Sequence, residues 1–199
     1  FIFMNAMRQM VAVSILLFSL RYIENHKPIP FVISLLIASL FHSSAVIFAV
    51  AYFFPKLKIN LFGGLVAVVV VFLFRSQIAD VVNYVISLTS YAGYIGSVFD
   101  TKEAGNVIMA MNVIVLLFSL LIPYLEKTEM DKKYRLLVWC QMIATIVAIL
   151  SGYIPLSQRI RWIFSLSSIV LLPLAVQKIS SPQLRLLVQA AVVVLYVVY

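Results

Sequence analysis

Charged residues are scarce in this chain of 199 residues. Asp, Glu, Lys and Arg together make up 11% of the sequence, whereas 64% of the residues are hydrophobic. A soluble domain has about 25% charged and about 45–50% apolar residues, and the mean hydropathy of this chain is +1.09. The composition therefore excludes an ordinary soluble domain and indicates an integral membrane protein.

Cysteine, histidine and carboxylate side chains are few as well. The single cysteine, Cys140, lies in an apolar run and cannot form an internal disulfide bond. The two histidines, His26 and His42, have no acidic pair beside them, which argues against a histidine-rich metal site in this segment. We therefore expect neither a metal nor a cofactor.

The seven carboxylates all lie in loops between apolar runs. They are Glu24, Asp80, Asp100, Glu103, Glu126, Glu129 and Asp131. Proton relays and cation-coupled transporters use carboxylates at membrane depth, and metal-dependent glycosyl transfer would need paired ones. This distribution disfavours both classes of protein.

Seven apolar runs approach the roughly 20 residues that a membrane-spanning helix needs. They cover residues 4–20, 31–54, 61–74, 107–125, 136–150, 162–176 and 184–199. No run alternates in the manner of barrel strands, so these segments are helices. We predict one all-α polytopic membrane domain over residues 1–199, with about six to seven transmembrane or re-entrant helices. Because the chain begins inside an apolar run, we expect it to be part of a longer protein.

The loop 75–105 is predicted to contain a helix that lies in the membrane interface. Val81, Val85, Leu88 and Ala92 recur there at helical spacing, which suits an interfacial helix. The tyrosines on a neighbouring stripe have two interpretations, because they could stack on sugar rings or belong to an aromatic belt. They are Tyr84, Tyr91 and Tyr94.

The basic residues test the topology, because loops on the cytoplasmic side carry an excess of Lys and Arg. The 15 basic residues lie singly or in short loops, which favours this explanation over nucleic-acid binding. If all seven runs cross the membrane, the two sides hold nine and six. If the run 31–54 is instead two half-helices broken at "FHSSA", the sides hold ten and five. The ten are Arg21, Lys27, Lys56, Lys58, Lys127, Lys132, Lys133, Arg135, Lys178 and Arg185, and the five are Arg8, Arg75, Lys102, Arg159 and Arg161. The stronger bias favours the re-entrant arrangement, with a straight helix as the alternative.

Polar residues interrupt the apolar runs at three places. They are Asn5, Arg8 and Gln9 in "NAMRQ", His42, Ser43 and Ser44 in "FHSSA", and Gln158, Arg159 and Arg161 in "SQRIRW". Ionisable groups at membrane depth are costly and therefore suggest function, and arginines bind phosphate through charge-assisted bonds. Structural interpretations remain open: Arg8 could reach the headgroups, His42 could pack as a neutral residue, and Arg161 could anchor at the interface.

The motif "NAMRQMVAV", a short basic loop and "IASLFHSSAVIFAV" together resemble the EpsG-like family of bacterial exopolysaccharide polymerases, which are Wzy-type enzymes. The residues that match the family pattern are Asn5, Arg8, Gln9, Ala12, Ala38, Phe41, His42, Ser44 and Ala45. "QRIRW" resembles the distal arginine segment of the family more loosely. These motifs cover about the first fifty residues, and the remainder of the chain fits by hydropathy.

The resemblance implies a multi-pass enzyme of the bacterial cytoplasmic membrane that joins polyprenyl-diphosphate-linked sugar repeats on the outer face. Arg8 and His42 would then be catalytic, with Arg8 holding the diphosphate and His42 acting as the base. The substrate-binding set would be Asn5, Gln9, Ser44, Tyr84, Tyr91, Tyr94, Arg159 and Arg161. The expected partners are the lipid-linked glycan, membrane lipids, a flippase and a chain-length regulator, and no nucleic acid. The alternatives are a glycan ligase, a flippase or other transporter, and a structural subunit.

Overall fold

The computed structural model describes residues 2–89, 91–96 and 105–198, and within these ranges the chain is helical without strands. The α-helices are α1 (Ile2–Glu24), α2 (Pro28–Phe41), α3 (Leu61–Leu73), α4 (Arg75–Ser87), α5 (Asn106–Leu125), α6 (Lys132–Leu150), α7 (Ser157–Ser165), α8 (Ser168–Gln177) and α9 (Pro182–Val198). Two 3₁₀ helices cover Ser43–Lys56 and Ala92–Tyr94. Asp100, Lys102 and Glu103, which entered the sequence analysis, lie outside the described residues, as does the last residue of the run 184–199.

Within the described part of the chain, three helices are long and apolar enough to cross a membrane, namely α1, α5 and α6. Two further crossings are possible if each bent pair counts as one span. The pair α3 and α4 is bent by 78°, and the pair α7 and α8 by 40°. This architecture confirms the prediction of an all-α polytopic membrane protein.

The segment between Pro28 and Lys56 is a helical hairpin and not one straight helix. Phe31 in α2 stacks on Tyr52 in the 3₁₀ helix with ring centroids 5.5 Å apart, and it also contacts Phe48 at 6.5 Å. In a continuous α-helix, Phe31 and Tyr52 would be about 31 Å apart. The chain therefore reverses between them, and the run 31–54 consists of two helices broken at "FHSSA". The re-entrant arrangement needs this geometry, whereas a straight helix does not have it.

The reversal takes place at His42, whose backbone is extended with φ −151° and ψ 112°. The helical hydrogen bonds continue up to this residue, because the His42 N–H donates to the Ala38 carbonyl over 3.0 Å. On the other side, the Ala45 N–H donates to the His42 carbonyl over 3.0 Å. One extended residue thus turns the chain while its backbone N–H and C=O groups stay paired, as an apolar environment requires.

Loops at one end of the bundle meet through their polar groups, and we call this end the basic face. Lys132 Nζ lies 3.2 Å from His26 Nε2, which joins the α5–α6 loop to the α1–α2 loop. Lys178 Nζ donates to the Glu129 carbonyl over 2.9 Å, which adds the end of α8. The opposite end, which we call the distal face, contains the hairpin tip and the start of α7. The hairpin thus brings Lys27 and Lys56 to the same face, as the ten-to-five distribution required.

Helix α4 runs along the distal face, as predicted for the loop 75–105, although it ends at Ser87, before Leu88 and Ala92 of the predicted stripe. Asn83 Nδ2 donates to the Tyr153 carbonyl over 3.0 Å, which attaches α4 to the turn between α6 and α7. Val81 and Leu88 are 64% and 71% exposed, so their stripe faces away from the bundle. This orientation agrees with an amphipathic helix in the interface.

Helix α6 lies at the centre of the bundle. In the most apolar 18-residue stretch of α6, 67% is buried inside the protein, compared with 39% of the corresponding stretch of α1 and 33% of that of α5. Helix α3 packs close to α5 through Gly64, where an added Cβ would lie 2.3 Å from Leu120 Cδ1. Because α6 contacts helices on several sides, it sets the spacing between the two faces of the bundle.

The hairpin predicts which loops share a side of the membrane. In a Cys140→Ser background, we expect Lys27→Cys and Lys56→Cys to react with a membrane-impermeant maleimide from the same side. Asp80→Cys, at the exposed surface of α4, should react from the opposite side. Labelling of intact cells and of inverted vesicles gives the comparison, and reaction of Lys27→Cys and Lys56→Cys from opposite sides would contradict the hairpin.

Candidate functional site

His42 forms the tip of the hairpin, deep in the protein and 9% exposed. Helix α2 has 14 residues, so it extends about 21 Å from the basic face. The hydrocarbon core of a bilayer is about 30 Å thick. His42 therefore lies between two half-helices, outside the membrane-spanning helices, at a level nearer to the distal face.

Two arginines from different helices act on His42. Burial lowers the pKa of His42 below its ordinary value of 6.5, and the positive charge of Arg159, followed by that of Arg8, lowers the pKa further. Arg8 is exposed on α1 and Arg159 is half-buried in the first turn of α7. The fold thus brings together three ionisable residues from "NAMRQ", "FHSSA" and "SQRIRW", and we call them the His42 cluster.

Helices α1 and α7 are joined beside this cluster by a direct hydrogen bond. Gln9 is 2% exposed, and its Nε2 donates to the Arg159 carbonyl over 2.8 Å. The chain enters α7 through Leu156, which has a left-handed backbone with φ 56°. This conformation is uncommon for a residue with a side chain, and it turns the start of α7 towards α1. Gln9, predicted as a substrate ligand, therefore holds the segment that carries Arg159.

Hydroxyl groups and aromatic rings border the hairpin tip. Ser43 Oγ and the Tyr91 hydroxyl are hydrogen-bonded at 3.0 Å, and Tyr91 stacks on Tyr94 with centroids 6.1 Å apart. Ser44 Oγ is buried and has no hydrogen-bond partner among the residues that the structure describes. Leaving a buried hydroxyl unpaired costs free energy, so Ser44 is available for a ligand at this position. Two of the three predicted tyrosines thus lie at the tip.

A comparison with protein-family models matches residues 1–199 to the EpsG family. The chain belongs to the EpsG family. No curated protein and no solved structure matches it. Membership confirms the resemblance that the Asn-Arg-Gln and Phe-His motifs carried, and it supports a role like that of a membrane polysaccharide polymerase.

Arg161 does not share the His42 cluster in this EpsG-family protein. It is 7% exposed and lines a separate cavity of about 230 Å³ with Asn112, Gln141 and Trp162. Two residues apart on a helix, Arg159 and Arg161 point to different sides. Packing of α7 against α6 buries Arg161 inside the bundle, which does not fit its interpretation as an interfacial anchor.

Two other residues that were predicted to bind substrate are not in direct contact with the His42 cluster. Tyr84 is 66% exposed on α4, and its ring projects from the distal surface. Asn5 is half-buried on α1, one turn before Arg8. Both lie at the same end of the bundle as the cluster, but only Asn5 is on the helix that carries a cluster residue.

A hydrogen-bonded cluster of polar residues inside the bundle of this EpsG-family protein was not predicted from the sequence. Gln141 Nε2 donates to the carbonyl and to the side-chain oxygen of Asn112, both over 3.2 Å. Thr145 Oγ1 also bonds the Asn112 carbonyl, at 3.1 Å, so the three residues tie α5 to α6. The sequence contains a pattern that could have predicted this cluster, because Asn112 and Gln141 interrupt apolar runs in the same way as Gln9 does.

The His42 cluster combines a neutral imidazole with two cationic side chains. A lowered pKa keeps His42 unprotonated near neutral pH, so its ring can accept a proton. Arg8 and Arg159 can bind an anion, and the start of α7 adds the positive end of a helix dipole. Among the residues described, no three His, Cys, Asp or Glu side chains are grouped to hold a metal.

The effect of Arg8 and Arg159 on the pKa of His42 can be measured directly, because His26→Gln leaves His42 as the one histidine of the chain. In that background, we expect Arg159→Gln to raise the pKa of His42 towards 6.5 and Arg8→Gln to raise it by less, since each removes a repelling positive charge. NMR titration of ¹⁵N-labelled histidine in detergent micelles gives the pKa.

Arg21→Gln is the matched control, because Arg21 lies on α1 thirteen residues beyond Arg8, about 20 Å away. It should leave the pKa of His42 unchanged. An unchanged pKa in both Arg159→Gln and Arg8→Gln would mean that their guanidinium groups do not act on His42.

Proposed function

We propose that this protein is a polysaccharide polymerase that joins polyprenyl-diphosphate-linked oligosaccharide repeats by inverting, metal-independent glycosyl transfer. The observation that carries the proposal is the convergence of Arg8 and Arg159 on His42. Two guanidinium groups and one imidazole lie in a single site, which supports phosphate binding by the arginines and proton acceptance by His42. Family membership supports the polymerase-like role.

The reaction forms one glycosidic bond and breaks one bond to phosphate. An acceptor hydroxyl oxygen attacks the anomeric carbon of the donor glycan, and the bond between that carbon and the lipid diphosphate breaks. Negative charge grows on the leaving diphosphate, and Arg8 and Arg159 stabilise it. Cationic groups that are already in position supply this stabilisation without reorganisation, which makes it a large contribution to catalysis.

His42 takes the proton of the attacking hydroxyl. The unbound site keeps the imidazole neutral, because both arginines oppose its protonation. When the diphosphate binds and gains charge, it offsets the two guanidinium groups and lets His42 hold the proton. The same two arginines thus bind the leaving group and keep His42 from holding a proton until the diphosphate is bound.

The residues around the tip suit the sugar portions of the substrates. The rings of Tyr91 and Tyr94 give stacked apolar faces against which pyranose rings can pack. The unpaired Ser44 hydroxyl and the hydroxyl of Ser43 offer hydrogen bonds beside His42. In this proposal Asn5 and Tyr84 contact more distant parts of the glycan, whereas Arg161 lies too deep in the bundle to do so.

The orientation follows from the distribution of basic residues. The excess on the basic face supports a cytoplasmic position for that face. The His42 cluster then lies towards the outer surface of the bacterial cytoplasmic membrane, where lipid-linked repeats are presented after translocation. A glycan ligase would use the same cationic site with a different acceptor, and a transporter would need cations along a path through both leaflets.

The activity test uses the purified, full-length protein in nanodiscs with its native lipid-diphosphate-linked repeat unit. We expect a ladder of glycans on a gel. Arg8→Gln should lower the rate by about 10²–10³, because one charge-stabilising group is lost, and His42→Gln by about 10²–10⁴, because the base is lost.

Arg21→Gln and His26→Gln are the matched controls, since each removes the same residue type at the basic face, and both should keep the ladder. Thermal unfolding of each variant checks that it folds. Full activity of folded His42→Gln would overturn the assignment of the base. A single transfer to a different acceptor, without a ladder, would mean a ligase.

The proposal also predicts a change in the pKa of His42 on substrate binding. In the His26→Gln background, farnesyl diphosphate should raise the pKa of His42, because its negative charges offset Arg8 and Arg159. Farnesol, which has the same chain without charge, should not raise it. NMR titration with each ligand gives the comparison, and equal shifts with both would contradict the binding of diphosphate beside His42.

A further inference from the structure

A cavity of about 670 Å³ lies at the basic face, away from the His42 cluster. It is enclosed by α3, α6 and the loops that precede them. Arg135 lines it at the start of α6, whereas Arg159 follows the far end of that 19-residue helix. Because 19 helical residues extend about 28 Å, the cavity and the cluster serve opposite faces of the membrane.

Polar and apolar residues are separated along this cavity. Lys58, Asn60, Glu129 and Arg135 line the end at the basic face, and the two cations outnumber the one carboxylate. The other end is apolar and is formed by side chains on one stripe of α6 and by small residues on α3. They are Trp139, Met142 and Ile146 on α6, and Gly63 and Ala67 on α3.

The dimensions of the apolar part match one leaflet of a bilayer. Arg135 and Ile146 are separated by eleven helical residues, which is about 16 Å, and half of a hydrocarbon core is about 15 Å. Gly63 has no side chain to fill the α3 wall, so the cavity continues past it towards Ala67. An elongated apolar tail with a polar head would fill this shape, whereas a small free anion would leave the apolar end empty.

Arg135 supplies a binding group that the protein itself does not use. Its Nε is buried and has no hydrogen-bond partner within residues 2–89, 91–96 and 105–198. An unpaired donor on a charged, partly buried side chain is costly, and phosphate oxygens are the acceptors that a guanidinium fits best. Trp139 closes the wall beside it, with its indole N–H held by the Leu57 carbonyl at 3.1 Å.

We propose that this cavity binds a membrane phospholipid with an anionic headgroup, whose phosphate contacts Arg135 and Lys58 and whose acyl chain lies along α3 and α6. The positive charges of the basic face attract the anionic headgroup of such a lipid. Anionic lipids are also enriched at the cytoplasmic surface. Basic pockets between transmembrane helices on that side bind such headgroups. This lipid is a bound component of the fold and not the glycan carrier.

The test uses the fluorescence of Trp139, one of two tryptophans in the chain. The full-length protein with Trp162→Phe is reconstituted in vesicles that contain increasing fractions of phospholipid with brominated acyl chains. The fluorescence of a variant that also carries Trp139→Phe is subtracted, so that the remaining quenching belongs to Trp139. We expect brominated phosphatidylglycerol to quench Trp139 at a lower fraction than brominated phosphatidylcholine.

Arg135→Gln should raise the fraction of phosphatidylglycerol needed for half-quenching by about fivefold, the effect of losing one cation at a membrane surface. Lys133→Gln, which removes a neighbouring charge outside the cavity, should leave it unchanged. If Arg135→Gln fails to fold, Lys58→Gln provides the same test in an exposed loop. Equal quenching by the two lipids, displacement by inorganic phosphate, or an unchanged preference in the folded cavity variants would overturn the proposal.

Discussion

The reversal of the chain at His42 is the feature on which the rest of the structure depends. A helix broken inside an apolar environment must keep its backbone groups paired, and here the bonds from His42 to Ala38 and from Ala45 to His42 achieve this. The two halves of the hairpin can then lie side by side, with Phe31 against Tyr52. Phe48 in turn packs on Phe164 of α7, with centroids 5.5 Å apart, which ties the hairpin to the helix that contains Arg159.

The reversal has an electrostatic consequence. In a straight helix, His42 would be an isolated polar residue, and Arg8 and Arg159 would have no common neighbour. In the hairpin, a buried imidazole lies near two guanidinium groups, and this arrangement brings two positive charges together. Functional sites commonly retain such unfavourable arrangements, which bound substrate relieves. A diphosphate would relieve this one, because its negative charges offset the two guanidinium groups.

The two faces of the membrane domain present their cations in different ways. At the distal face, the arginines come from helices α1 and α7, which the Gln9–Arg159 hydrogen bond holds together. At the basic face, lysines and arginines surround a cavity with an apolar interior. The first arrangement suits an anion that enters and leaves during a reaction, and the second suits a lipid that stays in place. Both depend on α6, whose length sets the distance between them.

Much of the fold could be predicted because hydropathy is a local property. The membrane class, most helices and the polar interruptions at Arg8, His42 and Arg159 follow from residues that are near one another in the chain. The bias of basic residues even favoured the hairpin, since each loop must lie on one side or the other. The 3₁₀ geometry of Ser43–Lys56 could not be predicted, because runs of this length are uncommon and its apolar composition is equally compatible with an α-helix.

The direction in which each polar side chain points is a property of the tertiary structure. The sequence grouped Arg159 with Arg161, but packing of α7 directs the first to His42 and buries the second beside Gln141. Gln9 was a candidate ligand by position, and its contact with the Arg159 carbonyl across 150 residues gives it a positioning role. Composition and periodicity thus determined that this chain is a helical membrane protein with cationic sites. Only the packing of distant helices decided which cations meet, because that depends on contacts between residues far apart in the sequence.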